Sequence, residues 1–237
     1  MTPRLARTHW AALVAVVLAL LFAGAATVAS TGGDGTGAAT AVPVADSAEA
    51  GFARDMAVHH QQAVEMSFIV RDRTQDEEVR RLAYDIANTQ ANQRGMLLGW
   101  LDLWGLPKVV SGAEPMAWMA ASAPDHGAHS GHGEHGGRDA HSGAEGADGA
   151  GGSLMPGMAT KAELDRLSKA SGRQAEVLYL QLMTDHHKGG VAMAQGCAGL
   201  CTVEPERNLA QGMVDAQQSE LLLMADLLKK RGAAPRG

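Results

Sequence analysis

The sequence has few aromatic residues, only two cysteines and no excess of basic charge. Aromatic side chains make up 4% of the 237 residues and hydrophobic side chains 46%, with Ala, Leu, Met and Gln abundant. This composition favours helices packed through small and flexible side chains, and it disfavours a β-sandwich. The formal net charge of -6 leaves no basic surface of the kind that nucleic acid binding needs, so we expect no nucleic acid partner.

The two cysteines, Cys197 and Cys201, lie four residues apart in the sequence GCAGLC. There is no second cysteine pair for a zinc site, and the haem signature CxxCH is absent. In an oxidising compartment a local disulfide is the favoured interpretation of this spacing. No cysteine lies near the N-terminal apolar segment, which excludes a lipoprotein anchor.

Residues 1–30 combine Arg4 and Arg7 with an apolar run that continues to about Val28. Basic residues before an apolar run are typical of an export signal. The run approaches the roughly 20 residues that span a bilayer, so a cleaved signal peptide and an uncleaved N-terminal transmembrane helix both remain open. Either alternative predicts an exported protein of the cell envelope or the extracellular space. Residues 31–46 are then a flexible linker.

A fixed offset of 127 residues aligns two parts of the chain without a gap. It places the pair His59-His60 on the pair His186-His187 and the preceding Met56 on Met183. A repeat of this length predicts two copies of one supersecondary unit. The other aligned pairs include Phe52 with Tyr179, Met66 with Met193, Gln90 with Gln217 and Gln93 with Glu220.

Each copy is predicted to be a helical hairpin, because its apolar residues recur at steps of three and four. Residues 47–105 form the first hairpin, residues 106–158 a linker and residues 159–232 the second hairpin. Thr74 and Glu77 have the spacing of a capping box at the start of a helix. Two antiparallel pairs of long helices predict an all-α fold, a four-helix bundle made of two repeated αα-hairpins.

The adjacent histidines of each copy are the strongest indication of a metal site. Neighbouring residues on a helix point about 100° apart, so His59 and His60 do not readily hold one ion together. Met56 lies three and four residues before them, which brings its thioether onto the face of either ring. If the two copies pair about a pseudo-twofold axis, imidazoles and thioethers converge near the bundle centre. The predicted ligands are Met56, His59, His60, Met66, Met183, His186, His187 and Met193.

The ligand types favour copper over other metals. Thioether with imidazole suits copper, with Cu(I) favoured by sulfur and Cu(II) by nitrogen, whereas methionine adds nothing for zinc. A di-iron site is disfavoured because neither motif helix contains Glu-x-x-His. Because neutral imidazole is the binding form, copper binding is predicted to weaken below about pH 6.

Three polar residues are predicted to support the histidines. Gln90 and Gln217 are expected to hydrogen-bond across the bundle, including to the imidazoles. Asp55 lies four residues before His59 and is expected to orient it. Its repeat counterpart is Leu182, so the two half-sites, one on each hairpin around His59-His60 and His186-His187, are not equivalent.

Two alternatives to a copper-binding protein remain open. Methionine on an apolar stripe is usually core filling, which leaves open a structural module without metal. A redox enzyme whose metal has an open coordination position also remains open.

The linker contains a stretch, from about residue 125 to 152, composed mostly of Gly, Ala, Ser and His, which is predicted to be disordered. Imidazoles at every third position on a mobile chain predict weak capture of Cu(II), Ni(II) or Zn(II). These weaker candidate ligands are His126, His129, His132, His135 and His141.

Four segments carry a family resemblance: FARDMAVHHQQAVEM, YLQLMTDHHKGGVAM, LMPGM and QQSELLLMADLL. Over about residues 48–231, excepting the His-rich insert, the chain resembles the domain-of-unknown-function 305 family. The resemblance implies a ferritin-like bundle and, because the family includes exported copper-binding proteins, a copper ion as cofactor and partner. It implies the eight His and Met residues above as the site, with Met155 and Met158 as additional ligands. The predicted role is copper sequestration, storage or delivery, with no catalytic residue assigned.

Overall fold

The computed structural model describes residues 42–120 and 152–236. Within these ranges the regular secondary structure is helical and no strand is present, which confirms the all-α prediction. The segment 1–30, residues 31–41 and the five histidines of the insert lie outside the described residues. The helices are α1 (Ala48–Arg73), α2 (Glu77–Leu103), α3 (Ala117–Ala120), α4 (Lys161–Lys169), α5 (Gly172–Leu200) and α6 (Glu204–Lys230).

The four long helices form two hairpins, α1 with α2 and α5 with α6, as the repeat predicts. The first helices of the two hairpins, α1 and α5, also pack against each other. Residues near the start of α1, Phe52 and Met56, share a buried cluster with Cys197 from the end of α5. Residues near the end of α1, Met66 and Val70, share the other cluster with residues from the first half of α5. The helices α1 and α5 are therefore antiparallel, and the core lies on both sides of their midpoint.

The turn between α1 and α2 differs from the sequence prediction. Helix α2 begins at Glu77 and its N-cap is Asp76, whose Oδ1 accepts a hydrogen bond from Val79 N at 3.0 Å. Thr74 instead ends α1, where its N–H donates to Val70 O. The Thr74 hydroxyl donates to Glu176 Oε1 at 2.5 Å. The predicted capping box of Thr74 and Glu77 is therefore wrong, because a closer carboxylate caps α2 and the threonine hydroxyl is used in a contact with α5.

The described parts of the linker pack against α1. Gln62 holds the segment before α4 through two hydrogen bonds: its Nε2 donates to Ala159 O at 2.8 Å, and its Oε1 accepts from Ala159 N at 2.6 Å. On the N-terminal half of α1, Gly51 lies against Trp118 of α3; a Cβ at that glycine would be 2.5 Å from the tryptophan side chain. The bundle thus fixes both ends of the linker that the structure describes.

Among residues 42–120 and 152–236, no helix combines the length and the apolar character that a bilayer crossing requires.

Candidate metal centre

The two histidine pairs lie at the midpoint of the contact between α1 and α5. All four imidazoles, from His59, His60, His186 and His187, are 0% exposed. The ring centroids of His59 and His186, which are equivalent residues of the repeat, are 3.8 Å apart with an angle of 36° between their planes. The ring centroids of His186 and His187 are 6.4 Å apart. The antiparallel packing therefore brings one matching pair of histidines, His59 and His186, into ring contact.

The predicted methionine ligands lie on both sides of the histidines. Met56 and Met193 belong to the buried cluster on one side, and Met66 and Met183 belong to the cluster on the other side. All four side chains are 0% exposed. Each side thus contains one of the predicted thioether ligands from each hairpin. Met155 is buried in the first of these clusters and Met158 packs against it partly buried.

Every one of the four imidazoles uses its Nε2 atom in a hydrogen bond. In the first hairpin, His59 Nε2 lies 3.2 Å from Pro156 O of the linker, and His60 Nε2 lies 2.9 Å from Gln93 Oε1 of α2. In the second hairpin, the Nε2 of His186 lies 3.0 Å from the backbone oxygen of His59. The Nε2 of His187 lies 2.7 Å from Glu220 Oε2. The acceptors of the four rings are thus two backbone carbonyls, one amide and one carboxylate.

These partners determine which ring nitrogen carries the proton. A backbone carbonyl or a carboxylate oxygen only accepts, so Nε2 donates in His59, His186 and His187, and Gln93 Oε1 accepts from His60 in the same way. The Nδ1 atoms of all four rings are buried and have no hydrogen-bond partner. Buried polar atoms are normally satisfied. Four unpartnered imidazole lone pairs in one interior region fit a metal, since histidine ligands commonly donate their other N–H to a carbonyl or carboxylate.

Burial keeps three of the rings, those of His59, His60 and His186, neutral. Loss of hydration lowers the pKa of His59 to about 4 and the pKa of His60 to about 3. The pKa of His186 is lowered well below the ordinary value, first by burial and then by the neighbouring rings. Metal binding requires neutral imidazole. In the folded protein, proton competition at His59 and His60 is therefore expected well below the pH of about 6 that ordinary histidine predicts.

The imidazoles do not all meet at one point. Three side chains can share one metal ion when their ligand atoms lie within 4.8 Å of one another. Among the His, Cys, Asp and Glu residues of the described ranges, one group meets this condition, and it consists of Cys197, Cys201 and Glu206. No three of the four imidazoles satisfy this distance. An ion at the midpoint of α1 and α5 would therefore be held by fewer than three of the four imidazoles as they lie here.

None of the three predicted supporting residues forms a hydrogen bond with a histidine. The side-chain oxygen and nitrogen of Gln90 have no hydrogen-bond partner, and neither does Gln217 Oε1. The carboxylate of Asp55 faces the linker, where its Oδ2 accepts from Met116 N at 2.8 Å and from Trp118 Nε1 at 3.0 Å. The predicted hydrogen bonds of Gln90 and Gln217 to the histidines and the predicted contact of Asp55 with His59 are therefore wrong.

The true partners, Gln93 and Glu220, lie one helical turn beyond the glutamines that the sequence favoured. Both are 33 residues after the histidine that they contact. They are aligned by the same repeat offset, which is the signal that could have found them. The carbonyl of Pro156 carries no comparable signal, since its position depends on how the linker packs.

Two adjacent glycines of the second motif allow this packing. A Cβ at Gly189 would lie 1.9 Å from Pro156 O, and a Cβ at Gly190 would lie 2.5 Å from Gln217 Oε1. Gly157 has a positive φ of 77°, and a Cβ there would lie 2.2 Å from Asp185 O. The linker backbone thus approaches α5 directly, and this approach places the Pro156 carbonyl at the ring of His59.

The comparisons with known proteins agree with this architecture. The model of the family described as domain of unknown function (DUF305) matches residues 49–228. The chain belongs to the DUF305 family. None of the curated proteins matches it.

Several solved structures are similar. A Streptomyces coelicolor DUF305 protein, described as secreted, is 58% identical, with 82% of this chain and 99% of that chain covered and a TM-score of 0.67. A DUF305 fragment from Deinococcus radiodurans is 27% identical, with 77% and 96% covered and a TM-score of 0.55. CopM in its Cu(II)-bound form is 18% identical, with 78% and 97% covered and a TM-score of 0.51. At that identity, CopM shares the fold.

Proposed function

We propose that this chain is an exported copper-binding protein that holds the ion between α1 and α5 through imidazole and thioether ligands. Its role would be copper sequestration, storage or delivery. The site residues are the four histidines together with Met56, Met66, Met183 and Met193. The N-terminal segment of residues 1–30 would direct export, either as a cleaved signal or as an anchor.

The observation that carries the proposal is the set of four buried Nδ1 atoms without partners. Each belongs to a ring whose Nε2–H is already donated, so the free nitrogen presents a lone pair to the interior. A ring that was only a core residue would leave this acceptor unsatisfied in a dry environment, which costs free energy. A soft metal ion satisfies such a nitrogen, and the surrounding thioethers favour Cu(I).

Two of the relatives support the proposal. CopM, which shares the fold, has structures in Cu(I)-bound, Cu(II)-bound and silver-bound forms. The relative that is 58% identical is described as secreted. These properties are those of the relatives, and they make copper and export the first things to test in this chain.

The test is competition for Cu(I) against a chromophoric chelator, followed by elemental analysis of the purified protein. The variant in which His59, His60, His186 and His187 are all replaced by Gln should lose tight binding and keep its helical circular dichroism spectrum.

The thioethers are tested by the double variant Met56→Leu and Met193→Leu, which conserves volume. Its matched control is Met224→Leu, another buried methionine, whose repeat counterpart is already Leu97. Equal Cu(I) affinity in wild type and the histidine variant would refute the proposal.

A structural module without metal is the second candidate. It is favoured by the hydrogen bonds that already satisfy all four Nε2 atoms and join each hairpin through Gln93 or Glu220. The two candidates differ in the effect of copper on thermal unfolding. A copper-binding protein gains stability from a ligand that binds only the folded state. A structural module keeps the same melting temperature when copper is added.

A further inference from the structure

A second cluster of metal-ligand side chains lies at the end of the bundle, apart from the histidines. Cys197 is in the last turns of α5, Cys201 directly follows α5, and Glu206 is in the first turn of α6. Their sulfur atoms and a carboxylate oxygen all lie within 4.8 Å of one another. The two cysteines are joined by a disulfide. The short turn between α5 and α6 thus brings the three side chains together.

The carboxylate in this cluster is unusual for a buried group. Glu206 is 0% exposed, and neither of its side-chain oxygens has a hydrogen-bond partner. Its neighbour Glu49 is satisfied, because Glu49 Oε1 accepts from Thr202 N at 2.5 Å and from Thr202 Oγ1 at 2.8 Å. Burial, with the charge of Glu49 as the smaller cause, raises the pKa of Glu206 to about 8. The fold therefore keeps a carboxyl group dry beside two sulfur atoms without giving it a partner.

We propose that Cys197, Cys201 and Glu206 form a second metal site, which binds a thiophilic ion such as Zn(II) when the disulfide is reduced. In the oxidised state the two sulfurs are bonded to each other and the site is closed. Two thiolates and a carboxylate are ligands that zinc accepts. A cation there would give the oxygens of Glu206 the partner that they lack. This site shares no residue with the histidine and methionine centre, so either proposal can fail alone.

The chemistry of opening the site is a two-electron reduction. An external dithiol transfers two electrons and two protons to the Cys197–Cys201 bond, which breaks to give two thiols, while the dithiol becomes its own disulfide. Metal binding then releases the two thiol protons, because thiolate is the ligand. The bridged residues are only four apart. The closed loop is so short that it removes little entropy from the unfolded chain, and the reduced protein is expected to remain folded.

The experiment uses the full chain, reduced with dithiothreitol and desalted under nitrogen, or left oxidised. Zn(II) is the probe because it has no redox chemistry with thiols. Native mass spectrometry is expected to show one more Zn(II) per chain in the reduced protein than in the oxidised protein. Co(II) in place of Zn(II) should add a thiolate-to-cobalt charge-transfer band in the reduced protein. The double variant Cys197→Ser and Cys201→Ser should show neither change after the same treatment.

Glu206→Gln tests the carboxylate and should weaken Zn(II) binding by the reduced protein roughly tenfold or more. Glu204→Gln is the matched control, since Glu204 is exposed in the same turn of α6, and it should bind as the wild type does. The proposal is overturned by equal Zn(II) binding in the two redox states, by a cobalt spectrum without the thiolate band, or by wild-type affinity in Glu206→Gln. Loss of the helical spectrum on reduction would also overturn it, because the three ligands would no longer be held together.

Discussion

His60 and His187 occupy the same position in the two hairpins, yet their Nε2 atoms contact different groups. His60 meets the neutral amide of Gln93 at 2.9 Å, whereas His187 meets the carboxylate of Glu220 at 2.7 Å. A charged acceptor makes a stronger hydrogen bond. It also makes the opposite ring nitrogen a better metal ligand. The second hairpin is therefore expected to bind copper more tightly at this position.

His59 and His186 differ in a second way. The ring of His186 donates to a carbonyl within α1, which the helix itself holds in place. The ring of His59 donates to Pro156 in the linker, whose position depends on the close approach of that backbone to Gly189. The first half-site thus depends on a segment outside the bundle helices. The sequence repeat thus keeps the histidines while the groups that hold them differ.

Acidification should lower the free energy of unfolding more than any substitution below, because the histidines are protonated in the unfolded chain at a higher pH than in the folded protein. His59 and His60 have pKa values of about 4 and about 3 when folded, below the ordinary 6.5. Their contribution to stability is complete above about pH 6.5, and it is lost as the pH falls towards the folded values. We expect the metal-free protein to lose about 2 kcal/mol for each of the two rings between pH 7 and pH 4.5.

Urea unfolding at several pH values measures this loss, with one complication. Glu206 has a raised pKa and therefore contributes in the opposite direction, since its folded form binds a proton more tightly than its unfolded form. The measurement should use Glu206→Gln protein and compare it with the same protein carrying His60→Gln. An identical pH dependence in the two proteins would contradict the prediction.

Gly189→Ala should break the first half-site selectively. The new Cβ would lie 1.9 Å from Pro156 O, so the linker backbone must move away and the ring of His59 loses its acceptor. We expect a loss of about 2 kcal/mol in the free energy of unfolding, measured by urea denaturation. Gly199→Ala is the control in the same helix, because a Cβ there would meet nothing within 4 Å. If both variants were equally stable, the close approach of the linker would have no energetic role.

Glu220→Gln should make the two hairpins alike at His60 and His187. The amide oxygen can still accept from the ring, so the fold is retained while the charge is lost. We expect Cu(I) affinity to fall roughly tenfold, measured by chelator competition at fixed ionic strength. An unchanged affinity would show that the charge of Glu220 does not affect the ligand.

Gln93→Glu is the reciprocal change and should have the smallest effect. It gives His60 the carboxylate partner that His187 already has, and we expect a gain in Cu(I) affinity of a few-fold. A chelator titration measures it beside the Glu220→Gln protein. A lower affinity in Gln93→Glu would mean that the two half-sites do not follow the same chemistry.

The sequence predicted the hairpins and their register well because the repeat and the apolar periodicity depend on local spacing. The burial of six of the eight His and Met residues follows from the same periodicity. His60 and His187 lie beside the apolar stripe, where they contact Gln93 of α2 and Glu220 of α6. The error at Gln90 has a different origin. Gln90 and Gln93 both lie on α2, and which of them reaches His60 depends on the turn after Arg73 and on how the two helices pack.

The contacts of the linker could not be predicted from the sequence for a similar reason. Asp55 lies at the correct spacing from His59, but α3 packs on the first half of α1. Trp118 of α3 and Met116, which directly precedes that helix, are the hydrogen-bond donors to Asp55. Nothing in the local sequence indicates that a four-residue helix returns to this position. The carboxylate at Glu206 was missed because its burial arises only when α6 folds back beside Cys197.

The attachment of the linker at Gln62 and His59 has a consequence for the histidines that precede it. Chain between residues 141 and 156 spans at most roughly 50 Å when fully extended. A metal ion held by His141 would therefore remain within that radius of the Pro156 carbonyl. Confinement to such a volume corresponds to an effective concentration of about a millimolar. Transfer of that ion from His141 to the imidazoles of the bundle would then be an intramolecular step. Its rate would not depend on how dilute the metal is outside the protein.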